Sequence, residues 1–400
     1  MRVTVTAESR FLRTPDGRVW IEIGPDHAIW TRYLAAFDEV RVVARVLDVP
    51  EAPAGANRVD GPGVHVWALP HYVGPAGYVR NLPGIRRAVI GATDGADAVI
   101  LRVPSPMATM LSNWLDRRGR PYALEVIGDP YDVFAPGVVD HPLRPVLRRW
   151  CTGAMRRQCR SAVAVSYETT RTLQARYPAR PDVPAMGISS VDLPDDAYVA
   201  SPRVAGPAPQ RPTLVSVGSL EQLYKGIDTL IEAIARLDAT VPPVHLVHVG
   251  VGRSRPALED LAARSGVADR VRFVGWLPGV DALRDQLDSA DLFVMPSRTE
   301  GLPRALIEAM ARALPAIGST AGGIPELLAP DAMFQPGDAA GLAALIGRTV
   351  TDPDRLAEHS RRNLTRAREF SADRLGARRT EFYRSVADWT RPRSLLGDRR

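Results

Sequence analysis

The second half of the chain repeats one local pattern: a short apolar, β-rich run followed by a segment whose apolar residues recur at helical spacing. The runs are 214–217, His245–Val249, Val271–Gly275, 291–295 and 316–318. The segment 226–237 shows the helical half of the pattern, with Ile227, Leu230, Ile231, Ile234 and Leu237 on one face. Strands that alternate with amphipathic helices build a parallel sheet covered on both sides. The first half reads the same way, less cleanly. Strands are expected at 3–7, 40–46, 64–68, Ala98–Val103, 122–127 and 161–166, with helices over 28–37 and 107–117. At 400 residues the chain is long enough for two such domains. The proline-rich stretch with Pro194, Pro202, Pro207, Pro209 and Pro212 carries no helical periodicity and marks the join. The expected domains are 1–197 and 212–370, with a linker at 198–211 and a terminal helix within 371–400.

In open parallel sheets, ligands sit beyond the carboxyl ends of the strands, so the residues after each strand are where chemistry is expected. Composition first removes several classes. The apolar share of 45% and charged share of 24% are those of a soluble globular protein. No stretch approaches the eighteen or so apolar residues of a membrane span, and residues 2–6 alternate like a strand instead of forming a signal core. A cytoplasmic protein is expected. Cys151 and Cys159 lie apart without a CxxC or a histidine cluster, which excludes a disulfide framework and argues against a metal site. The net charge of +6 and pI near 9.6 invite a nucleic-acid reading. Arginines spread along the chain among 45 acidic residues speak for a mildly basic solvated surface instead. Of the 51 basic residues, Lys225 is the only lysine.

That lysine stands in an informative place. After strand 214–217 come Gly218, Ser219 and then Lys225-Gly226 at a helix start. A glycine lets backbone approach a ligand, a helix N-terminus favours an anion, and a flexible ammonium is a phosphate partner. The alternative is a surface charge. After strand 291–295, Glu300-Gly301-Leu302-Pro303 leads into a helix that carries Glu308. Pro303 suits a first helical turn, so the helix is expected to begin near Leu302. Glu300 then precedes its N-terminus and Glu308 lies about two turns inside. Eight residues of helix span roughly 12 Å, about the reach from a sugar ring to a ribose across a diphosphate. Amides near Gly301 and Leu302 would face the diphosphate. For an isolated pair of glutamates, a capping acid and a solvent-facing acid would be the better reading.

The pair is not isolated. Together with the lysine loop, the strand segment Leu314–Ser319 in this sequence, and Ala321-Gly322-Gly323-Ile324-Pro325-Glu326, it resembles the signature of retaining glycosyltransferases of family 4, which have the GT-B fold. The resemblance covers residues 212–330. It implies two Rossmann-like doubly wound domains facing across a cleft, and a terminal helix, near 372–389, that packs back on the first domain. It implies a nucleotide-diphosphate sugar as donor, a hydroxyl acceptor and no metal or other cofactor. Glu308 would hold the ribose, Glu300 the transferred sugar and Lys225 the diphosphate. The nucleobase would rest near Val274-Gly275-Trp276. Many relatives have an arginine where this chain has Ser219. Either Arg298, Arg304 or another arginine compensates, or donor affinity is lower. Asp352-Pro353-Asp354 spells a metal-binding DxD but reads as a helix start.

The acceptor side is less legible. Asp129 follows strand 122–127 where relatives often have histidine; it either orients the acceptor hydroxyl or caps a turn. Arg102 and Ser105, after strand Ala98–Val103, and Asp16, after the first strand, are further candidates. Six arginines lie between Leu143 and Arg160, with Leu143, Leu147, Trp150 and Ala154 at helical spacing. An ordinary domain helix with a basic solvent face is the favoured reading. The alternative is a peripheral contact with the inner face of an anionic membrane, beside a lipid-linked acceptor. Two rivals to a transferase remain, a nucleotide-sugar epimerase of the same fold and a nucleic-acid-binding protein. Neither the base, the sugar nor the acceptor is named by the sequence.

Overall fold

The computed structural model describes residues 1–135, 138 and 141–390. They form two α/β units, each with its own sheet. The first comprises Met1–Asp129, Trp150–Ile188 and the chain from Gly376; the second comprises Pro130–Arg149 and Ser189–Leu375.

The first sheet holds β1 (Arg2–Arg13), β2 (Val19–Ile21), β3 (Glu39–Asp48), β4 (Asn57–Arg58), β5 (Val64–Leu69), β6 (Ala98–Val103), β7 (Ala123–Val126), β8 (Val165–Tyr167) and β9 (Ala185–Gly187). Seven strands run parallel in the order β5-β3-β1-β6-β7-β8-β9, and β2 and β4 extend the far end of β1 antiparallel. Alternate residues enter separate cores. Val3, Val5, Val40, Val42, Ala98 and Ile100 pack on one face, Val43, Val99, Leu101 and Val103 on the other. That is the two-sided burial a parallel sheet requires. Phe382, Tyr383, Val386 and Ala387 of the last helix, Ala372–Thr390, lie in the first of these cores.

The second sheet holds β10 (Thr213–Val217), β11 (His245–Val249), β12 (Val271–Gly275), β13 (Leu292–Met295), β14 (Ala316–Ser319) and β15 (Met333–Phe334). All neighbours are parallel, in the order β12-β11-β10-β13-β14-β15. The order reverses between β10 and β13, which makes the carboxyl ends of those two strands the place where a crevice opens. The helix Ile227–Ala235 buries Ile227, Leu230, Ile231 and Ile234 against this sheet.

Several local expectations change. β1 does not end at residue 7; its pairing with β3 shifts between Thr6 and Arg10 and the strand continues to Arg13. The segment expected as a strand over 161–166 begins as the end of a helix, Arg144–Ser161, because Ala154, Met155, Gln158 and Cys159 bury one helical face. The helix expected over 28–37 shortens to His27–Trp30 and a 3-10 turn, Thr31–Ala35. The segment expected as linker is fastened to the second unit. Leu193 donates its amide to the Phe370 carbonyl and accepts from Ala372, both at 2.9 Å. Tyr198 packs on the second core, and the Arg203 amide donates to Ser360 Oγ at 2.8 Å. Prolines stop a helix here, but the remaining backbone groups find partners in protein instead of water. The boundary therefore falls at Ile188/Ser189.

Candidate active site in the second unit

Two loops at the order reversal are locked together. Gly226 has φ +70°, and a Cβ there would overlap the carbonyl oxygen of Pro296. The Arg298 amide donates to the Tyr224 carbonyl at 2.7 Å. These contacts bring Lys225, after β10, beside Glu300, after β13. Lys225 Nζ lies 2.6 Å from Glu300 Oε1, which also accepts from Ser297 Oγ at 2.7 Å. The Lys225 stem crosses Gly218, where a Cβ would sit 3.1 Å from Lys225 Cε. The lone lysine is therefore no surface charge: its side chain is 17% exposed and that of Glu300 9%.

A glycine pair seats Glu300 from the other side. Gly322 has φ +54°, and a Cβ there would overlap the Glu300 carbonyl oxygen. The Gly323 amide donates to the Gly301 carbonyl at 2.8 Å. Among the described residues, the amides of Ser219, Gly301 and Leu302 donate to nothing in the protein. Unpaired amides beside an ammonium and a helix start are suited to an anion.

The helix after Glu300 begins later than expected, at Arg304 with Pro303 as its N-cap. Pro303 keeps extended backbone (ψ 112°), so Glu308 is little more than one turn inside, and the helical span of eight residues does not apply. Glu308 pairs with Arg304 at 2.9 Å and its side chain is 20% exposed. Gly275 ends β12 with φ +76°, and the Trp276 that follows is 73% exposed.

Arg298 does not replace a phosphate-binding arginine. It forms a forked pair with Asp228, at 2.9 and 2.8 Å, and donates to the Leu223 carbonyl, so it ties the two loops together. Arg304 is largely exposed and keeps its place as a candidate. Asp352 caps the helix Pro353–Ala367, accepting from the Arg355 amide at 3.0 Å. Ser297 and Ser319 were missed by sequence reading. Ser319 Oγ donates to the Ser297 carbonyl, so the hydroxyl that holds Glu300 is itself held. The signal was present, since Ser319 ends β14 and Ser297 follows β13 by two residues, both at the sheet's carboxyl edge.

In the first unit the candidates scatter. Asp16 lies in the hairpin turn between β1 and β2 and accepts from Thr14 Oγ1 and the Arg18 amide; the continuation of β1 moves it away from the sheet's carboxyl edge. Arg102, its side chain 19% exposed, pairs with Glu125 at 3.2 Å and lies over Trp30, in a network with Tyr33 and Tyr383. Asp129 is buried, with one carboxylate oxygen on Arg176 and the other on Tyr177. Ser105 caps the helix Pro106–Asp116 and donates to Glu8. Glu8, which sequence reading passed over, lines with Arg10, Glu22 and His71 a cavity of about 550 Å³.

His248 of β11 is fully buried with Nε2 3.0 Å from the Gly218 carbonyl oxygen. Burial, with Lys225 nearby, pushes its pKa down to about 4 from 6.5. The folded state resists a proton that the unfolded chain takes up, so this contribution to stability is intact above pH 6.5 and declines as pH falls toward 4. Thermal melts are expected to shift downward over that window in the wild type, and less in His248→Gln.

Residues 211–352 match the family model described as Glycosyl transferases group 1. That segment is similar to the glycosyltransferase domains the model describes. Protein CapJ of Staphylococcus aureus is 26% identical over 332 residues, 83% of this chain and 82% of CapJ. The lipopolysaccharide core biosynthesis glycosyltransferase LpsE of Rhizobium meliloti is 38% identical over 160 residues, 38% of this chain and 44% of LpsE. The structure of Anabaena HepE in complex with UDP and glucose superposes with a TM-score of 0.63, covering 95% of this chain and 98% of that one at 18% identity. The fold is GT-B, as expected from the sequence. The matched segment contains every element of the site built above, from Gly218 to Gly323.

Proposed function

We propose that this enzyme transfers a sugar, with retained anomeric configuration, from a nucleotide-diphosphate sugar to a hydroxyl acceptor. The observation that carries this reading is the Lys225–Glu300 pair at the order reversal, ringed by unpaired amides and seated on glycines. A donor diphosphate would draw the Lys225 ammonium and the amides of Ser219, Gly301 and Leu302, leaving the Glu300 carboxylate for hydroxyls of the sugar. Charge developing on the leaving diphosphate is then stabilised by groups already in place. Glu308 at the next helical turn would hold the ribose and Trp276 would lie beside the base. Lys225 and the amides neutralise the diphosphate without a metal. A relative in lipopolysaccharide core biosynthesis and a neighbour holding UDP and glucose support both the donor class and a role in polysaccharide or glycolipid synthesis. The reaction would take place in the cytoplasm.

The test is turnover of nucleotide sugars in EDTA, with candidate acceptors and anomeric analysis of the product. Acceptor-dependent release of nucleoside diphosphate is expected, undiminished by the chelator. Release without acceptor, or activity restored only by manganese, would contradict the reading. Glu308→Ala is expected to weaken nucleotide and donor alike, by about tenfold for one hydrogen bond near 1.4 kcal/mol. Unchanged nucleotide affinity by calorimetry would remove Glu308 from the site.

A specific observation favours a membrane-bound acceptor. On the helix Arg144–Ser161, Val146 and Trp150 are 65% and 58% exposed one turn apart, Leu143 just before it is 57% exposed, and Arg149 and Arg157 on the helix are exposed too. No helix of the described residues is long and apolar enough to cross a membrane, so contact would be peripheral. Apolar anchors with arginines fit an anionic lipid surface. Co-flotation with phosphatidylglycerol vesicles, lost in the Val146→Ser/Trp150→Ser double variant, is expected. Equal flotation of both proteins would contradict it.

A further inference from the structure

Within the donor site just proposed, we infer that His248 is a positioning residue: it holds the Gly218 carbonyl so that the next amide, Ser219 N–H, is presented to the donor diphosphate. The proposal rests on that donor reading and adds a residue to it.

His248 sits one residue before the end of β11, inside the core, edge-on to Phe273 at 5.8 Å between centroids. An aliphatic side chain would suit such a place better. The imidazole uses one nitrogen on Gly218 and leaves Nδ1 buried without a partner among the described residues, which is unfavourable for a ring retained only as filler. A carbonyl oxygen only accepts, so Nε2 carries the proton and donates to Gly218.

That bond fixes the start of the loop. The Gly218 amide donates to the Val249 carbonyl at 2.9 Å, and its carbonyl accepts from His248, so both ends of the residue are held by β11. Gly250, with φ +151°, lies against the same carbonyl; a Cβ there would overlap it. In a trans peptide the C=O and the following N–H point in opposite directions. Drawing the Gly218 carbonyl onto β11 therefore turns the Ser219 N–H away from β11. That amide donates to nothing among the described residues, while Lys225 crosses the α-carbon of Gly218 immediately before it. An oriented amide and the ammonium thus converge on one anion. In a chain with serine at position 219, the backbone supplies part of what a side-chain charge would otherwise contribute.

The test uses calorimetry with UDP and GDP as probes and uridine and guanosine as phosphate-free controls. His248→Leu fills the volume but donates nothing; His248→Gln places an amide N–H near the Nε2 position. For whichever base binds, the leucine variant is expected to weaken the nucleoside diphosphate about fivefold to tenfold and leave the nucleoside unchanged. The glutamine variant is expected to recover affinity to within about threefold of wild type. Equal loss for nucleoside and diphosphate, no loss in the leucine variant, or no recovery with glutamine would each overturn the proposal. A wild-type protein that binds neither diphosphate would instead overturn the donor reading beneath it.

Discussion

Lys225→Arg is expected to lower kcat/KM about 10- to 150-fold, the loss of one hydrogen bond to a charged group worth roughly 1.5–3 kcal/mol. The exchange keeps the charge and places at 225 the residue this protein uses at every other basic position. The broader guanidinium has no room: the lysine stem already crosses Gly218, and Nζ ends at 2.6 Å from Glu300. Lys225→Ala is expected to cost at least as much activity, and stability too. It leaves the Glu300 carboxylate buried without its counter-charge, which costs about 3–5 kcal/mol in a typical buried pair. Lys225→Arg is therefore the cleaner variant, because it keeps a positive charge near Glu300. Steady-state kinetics with melting curves separate the two effects. An arginine enzyme with wild-type kcat/KM would show that the lone lysine is an accident of composition.

Gly322→Ala is expected to reduce kcat/KM about 100-fold. Two effects add. A left-handed φ of +54° costs a residue with a Cβ roughly 1–2 kcal/mol. The new methyl would also overlap the backbone carbonyl of Glu300, which cannot rotate away as a side chain would. Glu300 must move, and a displacement near 1 Å at a positioning group can cost about 100-fold. Gly337→Ala is the control, since Gly337 has φ +80° and open space around it. It carries the same backbone strain without touching the site. If both variants lose activity equally, the seat under Glu300 has no special role.

Much of this site could be read from the order of residues along the chain. Parallel strands leave short apolar runs, and the residues after each run fall at one edge of the sheet. Lys225 and Glu300 both fall at that edge, 75 positions apart in the chain. What stayed hidden depends on packing rather than pattern. The ion pair itself needs Gly226 pressed on Pro296, which no spacing announces. Arg298 looked like a phosphate ligand because sequence shows a charge and not its partner; Asp228 claims it. The helix start at Arg304 was misjudged because a proline suits both an N-cap and a first turn. In the first unit, an irregular β1 carried Asp16 away from the sheet edge and left Glu8 unread. The reach of 198–211 was misjudged for a similar reason. Its prolines advertised a linker, while Arg203 shows a segment pinned to the second unit.

On the proposed reading, the order reversal of the second sheet binds the diphosphate of a nucleotide sugar through Lys225. The most direct measurement is a thermal-shift panel of nucleoside diphosphates and their sugars against wild type and Lys225→Arg. A ligand at a hundred times its Kd stabilises by about 2.7 kcal/mol, roughly 5–10 °C for a domain of this size. A shift of that order is predicted for the diphosphates of one base, absent for the free nucleoside and much reduced in Lys225→Arg. A panel in which no diphosphate moves the wild-type melt, or moves both proteins equally, would contradict the account.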